Sequence, residues 1–126
     1  GLDVEGTEIS DFCVDNLKQD GHVVYHGAFP NMEIPKTYDI VTCWHVLEHI
    51  PDVSTFSKEA AKITNKYLAL EIPTHRRLRN PDTEFDGHFH YFSKKSLEIL
   101  FSNEFKILYL DSGIQKPSLL CILQKI

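Results

Sequence analysis

His45-Val46-Leu47-Glu48-His49 places two imidazoles and a carboxylate within five residues, with the indole of Trp44 immediately before them. Imidazole titrates near neutral pH and a carboxylate accepts protons or cations, so the cluster suits general acid–base work or metal ligation. The spacing H-x-x-E-H offers one specific chemistry, in which two histidines a helical turn apart hold Zn²⁺ and the glutamate is the general base of a hydrolysis. That geometry requires a stable helix. Only seven residues separate Cys43 from Pro51, and a residue before proline is pushed out of the helical region. A zinc-dependent hydrolase built on His45, Glu48 and His49 is therefore one reading, without an obvious third ligand. A second chemistry-bearing stretch runs from Thr74 to Tyr91 and carries Arg76, Arg77, Arg79, Asp82, Glu84, Asp86, His88 and His90. Loops of this length are usually lids or binding segments, which leaves open a non-catalytic interaction module docking a partner through the loop. Asp86, His88 and His90 could also ligate a metal, but D-x-H-x-H matches no closed four-ligand set, and no metal site is assigned.

The elements around these residues decide where they stand. Tyr38-Asp39-Ile40-Val41-Thr42-Cys43 reads as a strand buried on both faces of a parallel sheet, so the histidine cluster falls at its carboxyl end. Open α/β sheets bind their ligands at that edge. Upstream, Asp3–Ile9 reads as a strand and Ser10 as the cap of a helix turning Phe12, Cys13 and Leu17 to the core, ended by Gly21. His22–His26 is a short strand followed by a turn at Gly27-Ala28-Phe29. Downstream, Asp52 or Ser54 caps a helix with a stripe of Val53, Phe56, Ala60 and Ile63, and Asn65-Lys66 turns into a buried strand, Tyr67–Pro73. Ser93 caps a helix burying Leu97, Leu100 and Phe101, and Phe105–Leu110 and Ser118–Ile126 form an antiparallel hairpin. Alternation of strands with helices predicts an α/β fold with a mostly parallel sheet.

Composition narrows the partners. The 126 residues carry a formal charge of −5 and a pI near 5.7, which argues against nucleic-acid backbone binding as the main activity. No stretch approaches the ~20 apolar residues of a membrane span, and GLDVEGTEIS lacks the regions of a signal peptide. Cys13, Cys43 and Cys121 are an odd set without C-x-x-C spacing, as expected of buried thiols in a reducing compartment. The expectation is one cytoplasmic domain over residues 1–126, with no membrane and no nucleic acid among its partners.

YDIVTCWHVLEHIPD resembles the segment around the fourth strand of class I S-adenosylmethionine-dependent methyltransferases, where a strand opening with Tyr-Asp leads into a "hVLEHi.d" loop. HFHYFSKKSLEILF is similar to the family's "H.hyfs..sL..ll" helix start. The resemblance implies a Rossmann-like methyltransferase sheet with a C-terminal antiparallel hairpin, S-adenosylmethionine as cofactor, and a small-molecule methyl acceptor. It places Glu8, with Ile9 beside it, at the strand end that holds the cofactor ribose, and Ala28 and Phe29 against the adenine. Trp44 and His45 fall near the methionine end. His45, His88 and His90 become candidates for removing the acceptor's proton. The resemblance begins at the family's second strand: the first strand and its glycine-rich loop have no counterpart, so the domain is expected to be N-terminally truncated and to bind cofactor weakly. In the family's strand order, 3-2-1-4-5-7-6, that strand separates Asp3–Ile9 from Tyr38–Cys43. Either these two pair directly into one six-stranded sheet, or their open edges pair between molecules, and a homodimer is the expected assembly.

Overall fold

The computed structural model describes residues 1–74, 87–114 and 117–126, arranged as two compact units, 1–35 and 36–126.

In the first unit, β1 (Glu5–Glu8), α1 (Asp11–Gln19) and β2 (Val23–His26) form a parallel β-α-β element, with Glu5 opposite Val23 and Glu8 opposite His26. Ser10 caps α1 by accepting from the Cys13 N–H at 3.4 Å. At the other end Gly21 takes φ 86°, a left-handed conformation that favours glycine, and its N–H reaches Lys18 O while that of His22 reaches Leu17 O. The pattern is the double bond of a Schellman cap, and it returns the chain directly into β2. Phe12 was expected to face the core and instead is 76% exposed. Val14 is the buried residue, flanked by half-buried Cys13 and Leu17, and Phe12 lies roughly 200° round the helix from Val14.

The second unit runs β3 (Tyr38–Trp44), a 3₁₀ turn (Leu47–His49), α2 (Val53–Ile63), β4 (Thr64–Pro73), α3 (Lys94–Phe101), β5 (Phe105–Ser112) and β6 (Ser118–Lys125). Its four-stranded sheet has the order β3-β4-β6-β5, parallel at β3-β4 and antiparallel at the other two pairings. Central β4 supplies fully buried Leu68, Leu70 and Ile72, which with Phe56 and Ala60 of α2, Leu97 and Phe101 of α3, Phe105, Cys121 and Leu123 make the core. Each such large apolar side chain contributes about 1.5–3 kcal/mol on burial.

Two details differ from the sequence expectation, and a third decides between alternatives that it left open. The helix and strand around Asn65-Lys66 are joined without a turn, because Thr64 ends α2 by donating its hydroxyl to Ala60 O at 2.7 Å and is itself the first residue of β4. Strand β3 is not buried on both faces; it pairs only with β4 among the described residues, and Ile40 and Trp44 are exposed. Of the two strand arrangements left open, six strands in one sheet is not the one present: among the described residues β1-β2 and β3-β4-β6-β5 are separate sheets. Gln115 and Lys116 of the hairpin turn, and Arg76, Arg77, Arg79, Asp82, Glu84 and Asp86 of the long loop, lie outside the described residues.

Candidate functional site

The end of β3 is held in an unusual backbone state. His45 has φ 54°, a left-handed conformation that costs a non-glycine residue about 1 kcal/mol or more. Its surroundings fix it there. The His45 N–H donates to Glu71 O at 2.8 Å, which continues the β3-β4 ladder by one bond beyond the strand. The half-buried imidazole then stands between two buried carboxylates, with Nδ1 3.8 Å from Glu48 Oε1 and Nε2 3.7 Å from Glu71 Oε1. Both separations exceed hydrogen-bond length, so the contacts are electrostatic. Glu71 Oε1 accepts the Ser118 hydroxyl at 2.9 Å, whereas Glu48 Oε2 and His45 Nε2 are buried without a hydrogen-bond partner among the described residues. Trp44, His45, Glu71 and Ile114 line a hollow of about 160 Å³. Gly113 must lack a side chain here, because a Cβ would run into the Ser118 hydroxyl and the Glu71 carboxylate.

Residues 87–92 are tied down onto the 3₁₀ turn. The N–H groups of Phe89 and His90 both donate to Glu48 O, at 2.8 and 3.4 Å, and His90 Nε2 donates to Pro51 O at 2.9 Å. His49 Nδ1 donates to Gly87 O at 2.8 Å, and Gly87, at φ 83°, again uses a conformation open to glycine. The ring of His88 meets that of His49 edge-on, with centroids 4.7 Å apart. His90 lines a separate open hollow of about 360 Å³ with Val53, Tyr91, Phe92, Ser96, Ile99 and Leu100. The three candidate proton acceptors are thus not brought into one cavity: His45 faces the first, His90 the second, and His88 stands against His49. The helix that H-x-x-E-H zinc ligation needs does not form either, since His45 is left-handed and Leu47–His49 makes a single 3₁₀ turn.

In the first unit, Glu8 closes β1. Its Oε1 accepts from the N–H groups of Ile9 and Ser10, each at 2.8 Å, which fixes the carboxylate at the strand end and leaves Oε2 open among the described residues. Glu8 O accepts from the Gly27 N–H at 2.9 Å, bringing the Gly27-Ala28-Phe29 turn beside it, with Ala28 exposed and Phe29 half-buried.

A family model described as "Methyltransferase domain" matches residues 1–105, a span that includes Glu8, the Trp44–His49 turn and the His88–His90 stretch. The chain belongs to this methyltransferase domain family. Solved structures share its fold. Magnesium protoporphyrin IX methyltransferase from Synechocystis PCC 6803, with bound SAH, superposes with a TM-score of 0.77 at 19% identity, over 100% of this chain and 65% of that one. An S-adenosylmethionine-dependent methyltransferase from Clostridium acetobutylicum ATCC 824 gives 0.71 at 9% identity, over 94% and 73%. The N-methyltransferase NodS from Bradyrhizobium japonicum WM9, in complex with S-adenosyl-L-homocysteine, gives 0.65 at 10%, over 94% and 64%. The methyltransferase domain thus spans about two-thirds of the length of the first of these. No curated protein matches it. Its strands reproduce the order that the resemblance implied, β2-β1 for the family's 3-2 and β3-β4-β6-β5 for 4-5-7-6.

Glu71 and Ser118 had no place in the sequence reading. The available signal was a carboxylate inside the apolar run Tyr67-Leu68-Ala69-Leu70-Glu71-Ile72, a residue type almost never fully buried without a partner.

Proposed function

We propose that the domain binds S-adenosylmethionine and transfers its methyl group to a small-molecule acceptor. The observation that carries this reading is the family match over residues 1–105. The carboxylate of Glu8 fits the cofactor: Oε1 accepts from two backbone N–H groups, and Oε2, without a partner among the described residues, keeps both lone pairs to accept from the neighbouring hydroxyls of a ribose. Ile9, Ala28 and Phe29 stand for the adenosine contacts of the first unit. In the second unit, taken by itself, Trp44 is an exposed indole and His45 an imidazole at the end of β3. S-adenosylmethionine supplies an electrophilic methyl on a sulfonium. This chain's residues hold and orient the reactants, which in favourable cases removes up to about 10 kcal/mol of a barrier. His45, held between Glu48 and Glu71, or the half-buried His90 is the proton acceptor offered to the methyl acceptor.

Titration calorimetry of the 126-residue chain with S-adenosyl-L-homocysteine tests the reading. Saturable binding is expected. Glu8→Ala should weaken it by about 2 kcal/mol, roughly thirtyfold in Kd. Glu8→Gln, which keeps an acceptor for the Ile9 and Ser10 N–H groups, separates loss of the charge from loss of the turn. An affinity unchanged by Glu8→Ala would remove Glu8 from the site, and no saturable binding at all would remove the cofactor.

A further inference from the structure

We propose that Glu48, His49 and His88 bind one divalent first-row transition cation, with Zn²⁺ the best fit. Their ligand atoms, a carboxylate oxygen and two imidazole nitrogens, all lie within 4.8 Å of one another. His49 Nε2 is 3.8 Å from Glu48 Oε1. Zn–N and Zn–O bonds of about 2.0–2.1 Å set tetrahedral neighbours about 3.4 Å apart, so closing the site needs ligand atoms to approach by up to about 1.4 Å. His88 is half-buried, and its ring meets that of His49 edge-on with centroids 4.7 Å apart.

Two further observations point to a cation. Glu48 is 1% exposed, and its Oε2 has no hydrogen-bond partner among the described residues. A buried carboxylate in that state is costly, and among the described residues the groups within ion-pair distance of it are the imidazoles of His45 and His49. A divalent ion would supply the missing charge. The second is the orientation of His49. Its Nδ1–H is committed to Gly87 O at 2.8 Å, so the ring is held with the lone pair of Nε2 turned to the Glu48 side, the arrangement that ligating histidines use. Two imidazoles with one carboxylate favour Zn²⁺ over Mg²⁺ or Ca²⁺, which prefer all-oxygen sites. Three protein ligands leave a fourth position for water or a ligand oxygen. The site does not involve the helical H-x-x-E-H geometry, because His45 is not a ligand and the third donor comes from residue 88.

The test uses the 126-residue chain, stripped with chelator and held without S-adenosylmethionine, so that its outcome is independent of cofactor binding. Calorimetric titration with Zn²⁺ is expected to show one saturable ion per chain. Cobalt substitution should give the visible absorption of a four- or five-coordinate ion. His49→Ala and His88→Ala should each weaken Zn²⁺ by more than about tenfold, the lower bound for disturbing even an outer-shell partner. His22→Ala, an exposed residue just before β2, should leave it unchanged. Circular dichroism confirms that each variant is folded; should His49→Ala unfold, His88→Ala at the cluster's edge decides alone. Absence of a stoichiometric ion in the folded protein, or an affinity that His88→Ala leaves intact, overturns the proposal.

Discussion

A buried carboxylate must find donors or counter-charge, and Glu71 and Glu48 do so differently. Glu71 accepts the Ser118 hydroxyl, whereas Glu48 Oε2 has no hydrogen-bond partner among the described residues and Glu48 Oε1 has imidazoles at 3.8 Å. The charge of Glu48 is felt next door: burial, reinforced by that carboxylate, pushes the Cys43 thiol from 9.0 up to about 12, and burial alone does the same to Cys121. A thiol whose folded pKa lies above its unfolded one stabilises the fold fully below the unfolded value, near pH 9, and the contribution is lost as pH rises towards 12. Urea midpoints should therefore fall above pH 9, and fall less steeply in the double variant Cys43→Ala, Cys121→Ala. An identical alkaline decline in both proteins would show that the thiols are not responsible. At this scale the sequence showed part of the site. His45, Glu48 and His49 are neighbours in the chain, so their clustering is legible from spacing. Glu71 and Ser118 meet across 47 residues through the β4-β6 register, which no local pattern encodes.

Elements were legible where their signals are local. Ser10, Asp52 and Ser93 were readable as caps because a short side-chain oxygen before an amphipathic run satisfies N–H groups that the helix itself cannot. Ser93 does so with a reciprocal partner: its hydroxyl accepts from the Ser96 N–H at 3.1 Å, and Ser96 Oγ accepts from the Ser93 N–H at 2.9 Å. Because α3 follows directly on the His88–His90 stretch, its first turn anchors the segment that crosses the Trp44–His49 turn. Ser93→Ala is expected to cost about 1 kcal/mol in urea unfolding. It should also loosen amide-exchange protection at Phe89 and His90, whose N–H groups bond Glu48 O. Unchanged protection there would mean that the Glu48 contacts hold the segment without the helix. The burial of an element was harder to read than its existence. Phe12 and Ile40 are apolar residues on exposed faces, and apolar type alone does not say which side of a helix or strand finds a partner.

At the scale of the molecule, strand order was accessible only through the resemblance, because periodicity identifies strands without saying which lie side by side. The order observed within each unit has a consequence for assembly. Strand β1 is paired on one side by β2, and β3 on one side by β4; the opposite edge of each has no strand partner among the described residues. Exposed apolar residues belong to or adjoin these strands: Val4 and Ile9 on either side of β1, and Ile40 and Trp44 in β3, are all 47% exposed or more. An open edge with apolar flanks is a template for another strand, and charges that would discourage pairing are few on β3, where Asp39 is the single one. The 126-residue chain is therefore expected to self-associate as a twofold homodimer, the commonest closed assembly. Light scattering at micromolar concentration should return twice the chain mass of 14.5 kDa. Ile40→Lys, which places a charge on the exposed face of the β3 edge, should shift the population to monomer while leaving the β4-centred core intact. A stable folded monomer in the unaltered chain would refute the assembly, and a dimer indifferent to Ile40→Lys would move the contact away from β3.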